Sequence, residues 1–188
     1  MATNVRSSRA ISSPRPASLP QLAAVIQPTA DLQDQSRISH ALGEHLLKSG
    51  QWEAALLQFE QALKTDPSAI ESWYHHAETL ACLNRYAEAL TSNQQALILT
   101  EFKDIRIWVQ RAAILIFMAH PEAALECCNL ALFLEPDHAQ AWLFRGVALH
   151  RLGRYQQAYR SYSRVTHPVS LSWQDTFRRF CDEFDGHP

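Results

Sequence analysis

Apolar positions recur along this chain with a long and nearly constant period. Alanine holds four positions separated by 34, 35 and 34 residues, namely Ala55, Ala89, Ala124 and Ala158. Two further series keep the same steps, one of small residues at Ala62, Ala96, Ala131 and Val165 and one of aromatic residues at Trp73, Trp108 and Trp142. A period of this size indicates stacked repeats, each of which buries its apolar stripe against its neighbours.

The apolar spacing within each period predicts two helices. First helices are expected near 36–49, 70–83, 105–118 and 138–151, and second helices near 53–65, 87–99, 121–134 and 154–165. Gly50 and Gly153 are expected to end first helices, because glycine adopts the left-handed conformation at little cost. Asp31 is a candidate N-cap for a longer first helix that starts near residue 32.

The residues inside the period resemble a known family. The first copy reads Leu42-Gly43, Leu46, Gly50-Gln51-Trp52, Ala55, Phe59, Ala62 and Pro67, and the last reads Trp142, Gly146, Leu149, Gly153-Arg154-Tyr155, Ala158 and Tyr162. This order resembles the tetratricopeptide repeat (TPR), a 34-residue helix–turn–helix unit. The resemblance covers about residues 36–168 and implies an all-α fold, a right-handed α-solenoid of TPR units. The middle copies depart from it at Asn84, Asn93, Glu101, Ala119 and Cys128, and one extra residue lies near 100–104.

The predicted domain organisation has three parts. Residues 1–30 form a flexible tail, 31–168 hold four repeats (about 36–69, 70–104, 105–138 and 139–168), and 169–188 form a capping helix with a C-terminal tail. The tail is rich in Ser, Pro and Ala and has no acid, so an organelle-targeting segment and a short binding motif stay open beside a plain tail. The aromatic stripe of the ninth predicted helix either caps the fourth repeat or docks on a partner; it comprises Trp173, Phe177, Phe180, Cys181 and Phe184.

Composition and motifs favour a soluble protein that is not an enzyme, and the resemblance to bacterial TPR proteins implies a cytoplasmic location. No stretch reaches the roughly 18 apolar residues of a membrane span, and no phosphate loop, nucleophile elbow or His-Glu-x-x-His motif is present. His75 and His76 are adjacent and cannot easily serve one metal ion from a helix. Glu44 and Glu78 are expected to flank a groove. No cofactor and no metal are therefore predicted.

The resemblance implies a partner-binding groove on the concave face of the first helices. The predicted groove residues are Arg37, His40, Glu44, Tyr74, His75, Glu78, Arg106, Val109, Gln110, Leu143, Phe144 and Val147. Among these, Tyr74 and Phe144 are expected to contribute most to binding. The positions that bind a chaperone's C-terminal carboxylate in some TPR domains carry one matching cation, Arg106, so no such clamp is expected.

The predicted function is a protein–protein interaction module that acts as an adaptor, scaffold or complex-assembly factor. Its partner would place an extended peptide or a helix in the groove. Charge leaves an alternative open: residues 31–137 hold 15 acids and 7 Lys or Arg, a balance of −8, whereas residues 138–174 hold five arginines and no acid, a balance of +5. A basic patch on the fourth repeat could bind nucleic acid or another anionic surface; it comprises Arg151, Arg154, Arg160 and Arg164.

Overall fold

The computed structural model describes residues 19–165 and confirms the all-α solenoid. Eight helices follow one another in this range, and it contains no strand. They are α1 (Leu19–Lys48), α2 (Trp52–Thr65), α3 (Ile70–Cys82), α4 (Tyr86–Leu99), α5 (Ile105–Phe117), α6 (Pro121–Leu134), α7 (Ala139–Arg151) and α8 (Tyr155–Tyr162). None of the eight combines the length and the apolar character that a membrane-spanning helix needs.

The helices form two layers. Each first helix packs on its own second helix, so the pairs are α1–α2, α3–α4, α5–α6 and α7–α8. The backbones of the first helices α1, α3, α5 and α7 also approach one another in succession, with Cα atoms within 8 Å, whereas those of the described second helices do not. The layer whose members lie closer together must be on the inside of the curve. The first helices therefore form the concave face, here called the concave groove.

Small residues at the repeated positions let the two layers approach closely. The alanines of both series are inaccessible to solvent throughout the first three repeats. The repeated tryptophans also form a hydrogen bond that the sequence period did not predict. Each indole N–H donates to the carbonyl six residues earlier, at 2.8 Å for Trp73, 2.9 Å for Trp108 and 2.7 Å for Trp142. The indoles thus fix the loops that join consecutive repeats.

Every first helix ends in the same left-handed turn. The φ angles are +74° at Gly50, +60° at Asn84, +57° at Ala119 and +71° at Gly153, at steps of 34, 35 and 34 residues. The amide that follows each of these residues closes the helix by donating to a carbonyl five positions earlier, at 2.8 to 3.0 Å. The expected glycine turns are confirmed. Ala119 is the one member of the set whose side chain disfavours this conformation.

Two of the departures from the repeat pattern, Asn93 and Cys128, accompany a change on the facing first helix. A Cβ on Gly43 would lie 2.7 Å from the ring of Phe59, so a large aromatic on the second helix requires glycine on the first. Gly146 and Tyr162 form the equivalent pair in the fourth repeat. In the two middle repeats alanine replaces the glycine, and the smaller Asn93 and Cys128 replace the aromatic. The smaller residue on the second helix leaves room for the Cβ that alanine adds on the first.

The structure corrects the expected ends of several elements. Helix α1 begins at Leu19, so Asp31 lies inside it and is not an N-cap. The extra residue of the 35-residue step lengthens the loop 100–104, where Glu101 and Phe102 both have positive φ. Helix α8 ends at Tyr162, three residues before the predicted end. The predicted capping helix and residues 1–18 lie outside the described residues.

Candidate interaction surface

Two cavities open on the concave groove and together involve most of the predicted groove residues. The first measures about 470 Å³ and lies between α1 and α3, and its lining includes Arg37, His40 and Glu71. The second measures about 190 Å³ and lies among α3, α5 and α7. Its lining includes five of the predicted groove residues, namely Tyr74, Arg106, Val109, Gln110 and Phe144. A third cavity, of about 280 Å³, lies on the other side of α3, next to α4.

Arg106 separates the two inner cavities and is already engaged within the protein. Its guanidinium donates to Glu71 at 2.7 and 3.2 Å and to Asp104 at 2.7 and 3.2 Å. These bonds hold the pKa of Arg106 above its ordinary value. The guanidinium also lies over the Tyr74 ring, 5.5 Å from its centroid. An acidic partner group would therefore have to exchange with these two carboxylates.

Tyr74 is held in place by the next repeat. Burial, reinforced by the charge of Glu78, raises the pKa of its hydroxyl to about 12. The side chain of Gln110 donates to the Tyr74 carbonyl at 3.0 Å and accepts from Asn93 at 3.0 Å. Asn93, which replaces the usual aromatic residue, also donates to the Ile107 carbonyl. This buried polar chain links three helices and positions one wall of the second cavity.

The apolar positions of the groove are far less open than the sequence suggested. Val109, Phe144 and Val147 are 4%, 3% and 7% exposed and belong to one buried cluster with α6. Leu143 is half-buried. Truncation of Phe144 is therefore expected to destabilise the protein, because its ring packs in the core between the third and fourth repeats. These residues form the floor of the groove rather than its rim.

At the other end of the groove, four side chains form what we call the inner histidine cluster, namely His40, Glu44, His75 and Glu78. Nε2 of His40 and Nε2 of His75 lie 3.3 and 3.2 Å from the same Glu44 oxygen. Nδ1 of His75 lies 3.1 Å from Glu78, which is therefore part of the cluster and not a separate groove wall. Burial and the nearby His75 lower the pKa of His40.

The adjacent His76 points away from this cluster, as the sequence argument required. Its Nδ1 lies 2.8 Å from the Ser92 hydroxyl on α4. Burial, together with the positive charge of Arg85, lowers the pKa of His76 to about 4. The sequence argument tested the neighbours His75 and His76 as a pair. It missed the pairing of His75 with His40, which occupies nearly the same position one repeat earlier.

The alternative basic patch does not form a continuous cationic surface. Arg151 donates to the Ile116 carbonyl, and Arg164 lies over the Trp142 ring, 5.6 Å from its centroid. Arg154 and Arg160 are exposed. Two of the four guanidinium groups are thus held by the protein itself, and this arrangement does not favour the binding of nucleic acid.

The described cysteines have the character of core residues. Cys127 and Cys128 are buried, and Cys82 is half-buried. Burial raises the pKa of the Cys82 and Cys127 thiols to about 11, and that of Cys128 further. A thiol that keeps its proton is a poor nucleophile.

Comparison with known proteins agrees with this architecture. A family model of the tetratricopeptide repeat matches residues 40–103 and 111–168. Among solved structures, MamA superposes with a TM-score of 0.65 at 16% identity, over 76% of this chain and 81% of that one. TTC0263, a thermophilic TPR protein of Thermus thermophilus, gives 0.61 at 24% identity, over 69% and 72%. YrrB, described as a TPR protein with an unusual peptide-binding site, gives 0.57 at 22%, over 68% and 66%.

The chain belongs to the tetratricopeptide repeat family, because the family model matches more than half of it. A search of curated proteins found no significant match. The fold is that of a protein–protein interaction module, and proteins built from this repeat are generally not enzymes.

Proposed function

We propose that this protein is an adaptor, scaffold or assembly factor that binds an extended peptide or a helix of a partner in the concave groove. The observation that carries this proposal is the pair of cavities along α1, α3, α5 and α7. They are separated by the exposed ion pair of Arg106 and Glu71. Successive cavities on one face suit successive side chains of a bound segment.

The chemistry of the two cavities differs, and this indicates what each one binds. The larger cavity has charges of both signs from Arg37, Asp66 and Glu71, and these suit a polar or charged side chain. The smaller cavity has Tyr74 at its wall and the buried Phe144 at its floor, which suit a small apolar side chain. Arg106 lies between them and can exchange an internal carboxylate for one from the partner.

The first test compares two tyrosine truncations. Peptides selected on the full chain are measured for affinity to the Tyr74→Ala variant and to Tyr159→Ala, whose side chain is exposed on α8. Tyrosine anchors often dominate binding energy, so Tyr74→Ala should weaken binding by tenfold or more, about 1.4 kcal/mol. Tyr159→Ala should leave the affinity unchanged. Equal losses in both variants would contradict the proposal.

The second test compares two partly exposed arginines that each form an ion pair with a glutamate. Arg106 and Arg85 each donate to a glutamate at 2.7 Å and are 48% and 44% exposed. Arg85 lines the third cavity, on the opposite side of α3. Weaker binding in Arg106→Ala alone supports the concave groove. A loss confined to Arg85→Ala would move the site to the outer cavity. A loss confined to Arg160→Glu with Arg164→Glu would instead support an anionic partner.

A further inference from the structure

Three side chains of the inner histidine cluster converge on one point from two repeats. His40 and Glu44 lie one turn apart on α1, and His75 reaches them from α3. All three ligand atoms lie within 4.8 Å of one another. Their side chains are 21%, 34% and 20% exposed, so an ion from solvent can reach them.

We propose that His40, Glu44 and His75 form a binding site for a divalent transition-metal ion, and that Zn²⁺ suits this donor set best. Two imidazole nitrogens with one carboxylate oxygen are a common zinc set, and such a site keeps a coordination position open. The proposal concerns the protein alone and does not depend on a partner in the groove.

The separations between the donor atoms match those of a metal site. Ligands that are 2.0–2.1 Å from a tetrahedral ion lie about 3.3–3.4 Å from each other. Nε2 of His40 and Nε2 of His75 lie 3.3 and 3.2 Å from Oε1 of Glu44. Lys48 approaches the other carboxylate oxygen, Oε2, at 3.6 Å and leaves Oε1 to face the histidines. Two of the three donor separations therefore already suit a metal ion, and the two Nε2 atoms, which lie within 4.8 Å of each other, need only adjust to the same spacing.

Nδ1 of each imidazole, the ring nitrogen that does not face Glu44, already has a hydrogen-bonding partner within the protein. Nδ1 of His75 lies 3.1 Å from the Glu78 carboxylate, and Nδ1 of His40 lies 3.0 Å from the Ser72 hydroxyl. When Nδ1 donates to such a partner, Nε2 carries the lone pair that a metal binds. In that tautomer both Nε2 lone pairs point toward the Glu44 carboxylate, and a cation at the centre removes the repulsion between them.

A buried aromatic ring keeps both imidazoles in this orientation. The Phe59 ring is inaccessible to solvent; it stacks on His75 at 5.7 Å and meets the edge of His40 at 5.7 Å. Rigid ligands lose little conformational freedom when an ion binds. The same contact joins the core of the first repeat to the site, so metal binding should stabilise the folded solenoid.

The test is a Zn²⁺ titration of the full chain in competition with a chromophoric chelator. We expect one tight site per chain. Loss of a partner behind a ligand typically weakens binding about 10- to 100-fold, so loss of a ligand in His40→Gln, His75→Gln or Glu44→Gln should weaken it at least as much. His45→Gln is the matched control, because His45 is exposed on the same helix, and it should bind as the unmodified chain does.

Two further measurements serve as controls for the type of ligand and for the folding of the variants. Co²⁺ bound at this site should show no thiolate-to-metal charge-transfer absorption, which distinguishes it from a cysteine site. Circular dichroism shows whether each variant is folded. If His75→Gln does not fold, the affinity of His40→Gln and the Co²⁺ spectrum of the unmodified chain still test the proposal. The proposal is overturned if the chain binds no Zn²⁺ in preference to the chelator. It is equally overturned if His40→Gln leaves the affinity for Zn²⁺ unchanged. In that case a proton, and not a metal ion, supplies the positive charge between the two imidazoles and Glu44.

Discussion

The left-handed turn at Ala119 predicts a substitution that stabilises the protein. Ala119 is exposed, follows the end of α5 and has φ of +57°. An L-residue in this conformation costs about 1–2 kcal/mol, whereas a glycine costs about 0.5–1 kcal/mol through the freedom of the unfolded chain. Ala119→Gly should therefore raise the free energy of unfolding by about 0.5–1 kcal/mol.

The reverse substitution at the equivalent position of the first repeat supplies the control. Gly50 has φ of +74°, and an added Cβ would meet no atom within 4 Å, so the change acts through the backbone alone. Gly50→Ala should destabilise by about the same 0.5–1 kcal/mol. Urea unfolding followed by circular dichroism measures both free energies. Thermal unfolding should show Tm shifts of about 2–4 °C per kcal/mol. Shifts of the same sign in the two variants would refute the reasoning.

Three further predictions follow from the packing and the titrating groups. Gly43→Ala should destabilise by about 1–3 kcal/mol through overpacking against Phe59, and a double-mutant cycle should show a smaller cost in a Phe59→Leu background. Phe144→Ala should cost about 3–5 kcal/mol in urea unfolding, whereas a loss near zero would mean that its ring is not a core residue. The pKa of His76 is lowered from 6.5 to about 4. Its neutral form therefore stabilises the fold above pH 6.5, and this stability should be lost as the pH falls toward 4, less steeply in His76→Gln.

The repeats could be predicted because the residue types that each one requires are close in sequence and recur in four copies. A glycine or asparagine ends three of the four first helices, and the alanines of the close approaches recur at steps of 34 or 35 residues. Ala119 could be placed by this register, although its residue type alone would not predict a left-handed turn. The register also located the longer joint at 100–104.

The start of α1 could not be predicted in the same way. Pro28 lies inside this helix, and proline, which has no backbone N–H, normally marks the first turn of a helix. The surrounding residues are rich in Ser, Pro and Ala and lack the apolar periodicity that identified the other helices. The sequence therefore indicated a start near residue 32 or 36.

The internal partners of the groove residues were missed because they lie on other repeats. Glu71 and Arg106 occupy the same position in consecutive repeats, 35 residues apart, and they form an ion pair at 2.7 Å. In a solenoid, equivalent positions of consecutive first helices are neighbours. His75 is one position beyond the equivalent of His40 and is close enough for the two rings to meet. A comparison of each repeat position with the same and the adjacent positions of the next repeat would have predicted both pairs.

The most direct test of the concave groove is site-specific photo-crosslinking to a bound partner. A photoreactive residue replaces Glu71 in one variant and Glu88 in the other, and both glutamates are exposed partners of an arginine. Glu71 lies between the two inner cavities, and Glu88 lines the outer one. We predict that the partner is crosslinked from position 71 and not from position 88. Crosslinking from position 88 alone would contradict the proposed binding mode.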